Sequence, residues 1–564
     1  MAMPEIWRFS LHLLTSRWFM AFSSLMILSM AGATFIFGLY SGEIKSSLGY
    51  DQTTLNMISF FKDLGGNLAI IAGLIMEIIP PWAVLAIGAI LNFFGYFMIW
   101  LAVTGRISKP HVWRMCLYIC IGANSQSFTN TGATVTCVKN FTSSRGIVLG
   151  LLKGAVGLSG AIMTQMYLAF YGDNGKSLIL LISWFPVLVS FFFLPSIRIM
   201  KVTRQENEVK MLYNLLYFSL GLAGFLLIMI IIQRKLTFDR AEYSLSGAVV
   251  LVLVFSPLIL VIREELNHWK SKRQVATNFS QLNVSIQMEN IPSSAEPESI
   301  TSCFKSAFKS PNRGEDHTIL QALFNIDMLI LFVVTTFGVG GTLTAIDNLG
   351  QIGKSLNYQD SSISTFVSLV SIWNYLGRVA SGFASEIFLR KYNFPRPLML
   401  TFVLLLSCVG HLLIAFGVRN SLYASSILIG FCFGAQWPLI LAIISELFGL
   451  KYYATLYNFG SIASPIGGYI LNVRVAGYLY DKEALKQLAA KGIARKVGED
   501  LNCVGVQCYK QAFLIITAAT FAGSIVSLIL VLRTRKFYAS DIYKKFKEES
   551  QVESGNITIS RENN

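Results

Sequence analysis

Apolar stretches of roughly twenty residues, the length a helix needs to cross about 30 Å of hydrocarbon, recur near 18–40, 54–78, 82–104, 112–137, 146–170 and 177–195. Two more lie near 212–232 and 243–262. After a polar interval a second group follows near 322–346, 362–388, 397–417, 421–445, 452–475 and 511–532. The pattern predicts an all-α polytopic membrane protein of about fourteen transmembrane helices, grouped as six, two and six.

The polar intervals divide the chain into an N-terminal segment at 1–17, a first six-helix bundle at 18–195, and a connection with two extra helices at 196–262. A linker at 263–318, a second six-helix bundle at 319–532 and a tail at 533–564 complete it. The linker's Ser/Asn/Glu/Pro mixture, as in Pro292-Ser293-Ser294-Ala295-Glu296-Pro297, holds too few large apolar residues to fold alone, so it is expected to be disordered. It reads as a passive tether or, alternatively, as a segment regulated through its serines. Lys and Arg gather in 196–210, 263–318, 389–396 and from Arg533 onward, which predicts that both termini and the linker are cytoplasmic. The connections at 105–114 and 233–240 also carry basic residues, and the second runs against that rule. The polar excursion at 476–510 falls on the other side.

Composition agrees with this picture, because 54% hydrophobic and 14% charged residues leave more apolar surface than one globular core hides. The net charge of +15 sits in short runs at the ends of apolar stretches, which orient a chain in a bilayer; nucleic acid is not an expected partner. The first apolar stretch reads as an uncleaved signal anchor. The eight Cys show no metal-ligand spacing, and no hydrolase elbow or phosphate-binding loop occurs, so neither an enzyme, a cofactor nor a metal is expected. Cys503 and Cys508 either close a small disulfide loop, if 476–510 faces an oxidising compartment, or stay as two thiols.

Charged groups at membrane depth cost at least ~2.5 kcal/mol each, so they persist where they are paired, hydrated or used. Lys62 and Asp63 interrupt the second stretch and, as neighbours on a helix, are expected to point apart rather than neutralise each other. Lys153 stands beside Gly150, Gly154 and Gly157, which share one helical face and form a groove for close packing. It is a candidate for binding an anionic substrate group; the alternatives are snorkelling to the surface or pairing with a carboxylate. Asn124, Ser125, Gln126, Ser127, Thr129, Asn130, Thr131 and Thr134 make the fourth stretch too polar for lipid. They line a wet cavity, hydrogen-bond between helices, or both. Glu446 is a milder counterpart in the second bundle, and His411 reads as structural.

Gly377-Arg378, Ser381-Gly382, Ser385-Glu386 and Arg390-Lys391 resemble the motif that joins the second and third helices of a major facilitator half. The resemblance implies a cytoplasmic charge lock, with Gly382, Glu386, Arg378 and Arg390 as gate residues. In the first half Gly73 and Glu77 remain, but Pro80, Pro81 and Trp82 replace the basic residues, so no lock is expected there. Gly460 with Pro465-Ile466-Gly467-Gly468 resembles the Gly-Pro kink motif of antiporter-like members. Arg17-Trp18-Phe19-Met20, Phe60-Phe61-Lys62-Asp63-Leu64-Gly65, Gly150-Leu151-Leu152-Lys153-Gly154 and the run from Glu499-Asp500 to Cys508 resemble the plant nodulin-like, nuclear-fusion-defective type of facilitator. The resemblance spans about residues 15 to 535 without the linker and implies a major facilitator fold distantly similar to oxalate/formate and monocarboxylate transporters.

The expected function is alternating-access secondary transport of a small polar solute, foremost an organic anion such as a mono- or dicarboxylate. Lys153, Asn124, Gln126 and Asn130 are the expected substrate-binding residues. Asp63 or Glu446, with Lys62, is expected to carry a coupling proton. A monomer in the lipid bilayer is the expected state. The alternative is a transport-like scaffold or sensor in membrane organisation or fusion.

Overall fold

A computed structural model describes residues 3–279, 311–490 and 503–540, apart from 35, 51, 173–174, 201–206, 237, 359 and 419. Every regular element among these residues is helical. The first bundle opens with α1 (Met3–Leu14), α2 (Arg17–Ser29) and α3 (Phe37–Leu48), continues with α4 (Gln52–Asn67), α5 (Ile70–Ile78) and α6 (Pro81–Val103), and closes with α7 (Val112–Asn140), α8 (Arg145–Tyr171) and α9 (Gly175–Phe193). Three further helices follow: α10 (Glu208–Lys235), α11 (Arg240–Phe255) and α12 (Pro257–Phe279).

In the second bundle a short α13 (Ile319–Leu323) leads to α14 (Ile326–Asp347), α15 (Leu349–Ser355), α16 (Asp360–Tyr392), α17 (Arg396–Phe416) and α18 (Ser421–Leu447). α19 (Tyr453–Gly468) runs through a π-helical segment, Tyr469–Gly477, into α20 (Tyr478–Ala490), and α21 (Gln507–Ala539) ends the described chain.

Local chemistry sets many of these boundaries. The Ser16 hydroxyl accepts from Phe19 N at 3.2 Å and starts α2, Pro81 opens α6, and Gly417 ends α17 in the left-handed region. The second span breaks at Leu68–Ala69, and Asn124 Nδ2 donates at 2.9 Å to each of the freed carbonyls of Gly65 and Leu68. At membrane depth a freed carbonyl needs such a partner.

Among the described residues ten helices are long and apolar enough to cross a membrane, or eleven if α1 and α2, which meet at 56°, count as one span. The expected segments at 112–137, 362–388 and 452–475 lie on α7, α16 and α19, which do not meet that test. α7 is rich in Ser, Thr and Asn, and α19 is only sixteen residues long before its π segment. Helices that line a polar interior need not be apolar throughout.

The extra pair also differs from expectation. The stretch beginning at 243 turns at Ser256 and stays helical to Phe279, so 263–279 extend α12. The rest of the expected linker, 280–310, lies outside the described residues, as do 491–502 and the tail beyond 540. These helices pack outside the first bundle. Buried Arg17 and Glu208 form an ion pair at 2.8 Å, and Gln165 and Gln233 exchange amide bonds of 2.9 and 3.0 Å. The inner helices are easily told from the outer ones: 78% of the apolar window is buried in Thr142–Tyr171 and in Ser421–Leu447, against 17% in Glu208–Gln233.

The two halves meet along α8 against α16 and α5 against α19. Glycines make this close approach possible. A Cβ on Gly382 would lie 2.6 Å from Gly150 Cα, and one on Gly73 would lie 2.9 Å from Ala454 O. Both ends of the described chain lie on one face, hereafter the terminal face, together with the connections α5–α6, α7–α8, α16–α17 and α18–α19.

Candidate functional site

The centre of the α8–α16 seam holds two buried cations. Lys153 Nζ donates to Asn130 Oδ1 on α7 at 3.2 Å and to the Tyr457 hydroxyl on α19, and it lies 4.9 Å from the centre of the Tyr457 ring. On α16, Arg378 donates through Nη1 to the backbone oxygen of Lys153 at 3.0 Å and through Nε to Asn374 Oδ1 at 2.9 Å. Beside them Asn458 Nδ2 donates to Thr131 Oγ1 at 2.9 Å. Both halves therefore contribute to one polar centre.

Among the described residues neither cation has a carboxylate at ion-pair distance. Neutral oxygens are all they meet: an amide, a phenol and a backbone carbonyl. Two like charges at membrane depth with neutral partners leave a net positive potential that an anion would relieve. Of the expected binding residues, Lys153 and Asn130 come together here. Asn124 instead secures the break of the second span. Gln126 accepts a hydrogen bond from Thr34 and lines a cavity of about 20 Å³ inside the first bundle, with Asn92, Ser125 and Thr129. That volume suits a single water.

Arg378 is a correction to the motif reading. Eight residues before Glu386, it lies about 12 Å away along the helix, in the centre rather than at the gate. The sequence reading did not single out Tyr457; its signal was a phenol one residue before Asn458 on a helix already marked by its kink motif.

The gate itself is at the terminal face. Glu386 Oε2 accepts from Arg396 Nη2 at 2.6 Å and from Gly146 N of the first half at 3.2 Å, while Oε1 accepts from Arg390 Nε at 3.0 Å. Arg390 also reaches across to the Ser143 carbonyl and, at 3.1 Å, to Ser144 Oγ. Arg396 Nε donates to Glu446 Oε1 at 2.7 Å, and the Tyr538 hydroxyl donates to Glu446 Oε2 at 3.0 Å. Glu446 is thus part of a buried ion network with Arg396 and Tyr538. Sequence reading placed Arg396 in a basic run and missed that two buried acids would share it.

Two further expectations change. Lys62 Nζ pairs with Asp63 Oδ1 at 2.7 Å, because the long lysine stem bends back across the Phe37 ring, 5.3 Å away. In the first half Glu77 Oε1 accepts from Thr455 N at 3.3 Å and so caps the start of α19, although Pro80, Pro81 and Trp82 stand where the motif has its basic residues. Lys139 adds a bond of 3.3 Å to the Lys451 carbonyl. The hydrogen bonds between the halves run from the centre to the terminal face, so this face is closed. Away from it, Cys503 and Cys508 are disulfide-bonded with Cα atoms 5.9 Å apart, and Gly505 N anchors their loop to Ser355 O at 2.8 Å.

Residues 17–262 match the Nodulin-like family, and residues 315–540 match the NFD4 C-terminal domain. The chain is 26% identical over 545 residues to Protein NUCLEAR FUSION DEFECTIVE 4 of Arabidopsis thaliana, covering 93% of this chain and 89% of that one. It is 21% identical over 463 residues to Probable transporter MCH1 of Wickerhamomyces anomalus, covering 81% and 78%. In fold it is similar to the proton:xylose symporter XylE of the major facilitator superfamily, with a TM-score of 0.52 and 11% identity over 92% of this chain and 95% of that one. With both halves matched in order, the chain is a multi-pass membrane protein of major facilitator fold that belongs to the nodulin-like, NFD4-type family.

Proposed function

We propose that the chain is an alternating-access transporter whose central site takes a small organic anion, a mono- or dicarboxylate. The observation that carries this reading is the buried pair Lys153 and Arg378, one from each half, with no carboxylate at ion-pair distance among the described residues. An anion entering the seam supplies the balancing charge in both half-sites at once. Lys153 and Arg378 hold its charge, while Asn130 and Tyr457 orient Lys153.

The terminal face is the cytoplasmic side in this reading, supported by the basic connections there and by a disulfide on the far side, where an oxidising compartment sustains it. The cycle then alternates between the closed arrangement described above and one in which Glu386 and Glu77 release their partners across the seam. Proton coupling fits the proton symporter of similar fold.

The test is uptake by proteoliposomes of a panel of labelled carboxylates, amino acids, sugars and inorganic anions, with and without an inward proton gradient. Wild type is expected to accumulate a carboxylate and folded Lys153→Ala to lose it. If neither protein moves any member of the panel, the reading fails and a scaffold or sensor in membrane organisation takes its place.

A further inference from the structure

Residues 312–317, at the end of the expected linker, lie against the connection α18–α19 and are held there by bonds to its backbone. Gly314 N donates to Leu447 O at 3.0 Å, and His317 N donates to Phe448 O at 3.1 Å. The Asp316 carboxylate accepts from both Leu450 N at 2.8 Å and Lys451 N at 2.9 Å. Gly449 between them takes a φ of +78°, and a Cβ there would come within 2.2 Å of Asp316 Oδ1. A glycine is required both for that conformation and for that approach. His317 is buried, with its ring 5.2 Å from the Phe448 ring in an edge-to-face arrangement.

The connection gripped in this way joins the two locks. Glu446, at its start, belongs to the Arg396 network, and Ser445 O accepts from Arg145 of the first half at 2.8 Å. At its end Thr455 N is bonded by Glu77, and Lys451 O accepts from Lys139, both of the first half. Asp316 therefore fixes the backbone that presents three contacts across the seam. Arg313 ties the segment's other end to Asp327 at 2.7 Å, and Arg533 reaches the same carboxylate at 2.6 Å.

We infer that residues 312–317 are a strap that sets how firmly the terminal face closes, with Asp316 as its positioning residue. The inference rests on the alternating-access reading for its purpose, but the strap's effect on closure needs no cargo to measure.

The test places spin labels at Ile199→Cys and Lys391→Cys, exposed terminal-face positions on the first and second halves, in the full chain with the other unpaired cysteines replaced. Distance distributions are then recorded in lipid nanodiscs without substrate. Asp316→Ala removes both acceptor bonds and is expected to raise the open population about tenfold, whereas Asp316→Asn keeps an oxygen at the same place and should stay near wild type. Gly449→Ala, which pushes the strap away from the other side, should open the face as Asp316→Ala does. A merely structural role would lower the thermal midpoint of Asp316→Ala and leave its distances unchanged, which overturns the proposal. Equal opening in Asp316→Asn and Asp316→Ala also overturns it. If Asp316→Ala fails to fold, Gly449→Ala decides alone. Opening by these variants in a protein that transports nothing in the uptake panel would sink the transport reading and leave the strap standing.

Discussion

At the α8–α16 seam Glu386 is 1% exposed and sits between Arg390 and Arg396, whereas at the α5–α19 seam Glu77 is half-buried and accepts from the backbone and hydroxyl of Thr455, with Lys139 acting on it through space and without an ion pair. The first lock uses side-chain charges that are costly to leave alone once dehydrated. The second uses the exposed amides at a helix start, where any sequence offers donors and the helix dipole favours an anion. Loss of the basic residues from the first-half motif, where Pro80 and Pro81 stand, therefore removes the charge network but not the contact across the seam. A degenerate motif can keep its acidic half and still close.

The contrast can be broken most forcefully at Arg396. Arg396→Ala leaves Glu386 and Glu446 buried without their shared cation and should cost about 3–5 kcal/mol, read as a large fall in thermal midpoint in detergent. Arg396→Lys should recover only part of this, since one ammonium cannot bridge the two carboxylates as the guanidinium does. Glu386→Gln keeps an acceptor for Gly146 N but loses its charge, so a loss of about 1–3 kcal/mol and a more open terminal face are expected, the second read from label accessibility. Glu77→Gln should fall within about 1 kcal/mol of wild type in the same assays, because the amide oxygen still caps Thr455 N. Equal losses for Glu386→Gln and Glu77→Gln would abolish the distinction between the two locks.

The smallest effect expected is on pH. Burial holds His317 below its usual value of 6.5, opposed more weakly by its bond to the Glu315 carbonyl and by the nearby acids Glu315, Asp316 and Asp327. A depressed folded-state value means the contribution of neutral His317 is fully present above about pH 6.5 and is lost as pH falls through the lowered folded value. Strap docking should weaken in that window, measured as faster proteolysis near residue 313 of the intact protein, and His317→Phe should flatten the dependence. The effect sharpens the comparison, because the strap grips the connection between the two locks.

Much of this architecture was legible along the chain. The grouping of apolar segments and the Gly150–Gly157 packing face depend on local spacing, which sequence displays directly, and the charge lock around Glu386 was implied by the resemblance of its motif. Lys153 stood out for the same reason: one cation in an apolar run has nowhere to hide. What stayed hidden depends on partners far away in sequence. Tyr457 meets Lys153 across 304 positions, and Glu77 meets Thr455 across 378. Glu446's pairing with Arg396, fifty residues earlier, went unseen because Arg396 was read as one of a basic run. Asn124 shared a polar stretch with Gln126 and Asn130, yet at about 100° per residue it faces away from them, toward the helix break; Gln126 and Asn130, one turn apart on one face, differ in how far along the helix they sit, one at a small internal cavity and one at the central cation.

The central claim is that the seam binds negative charge through Lys153 and Arg378. The most direct measurement compares uptake of the best-transported carboxylate with its uncharged amide analogue in wild type, Lys153→Ala and Arg378→Ala proteoliposomes. The account predicts that wild type moves the carboxylate and rejects the amide, and that each folded variant loses the carboxylate. Equal transport of acid and amide by wild type, or undiminished carboxylate uptake by both variants, would contradict it.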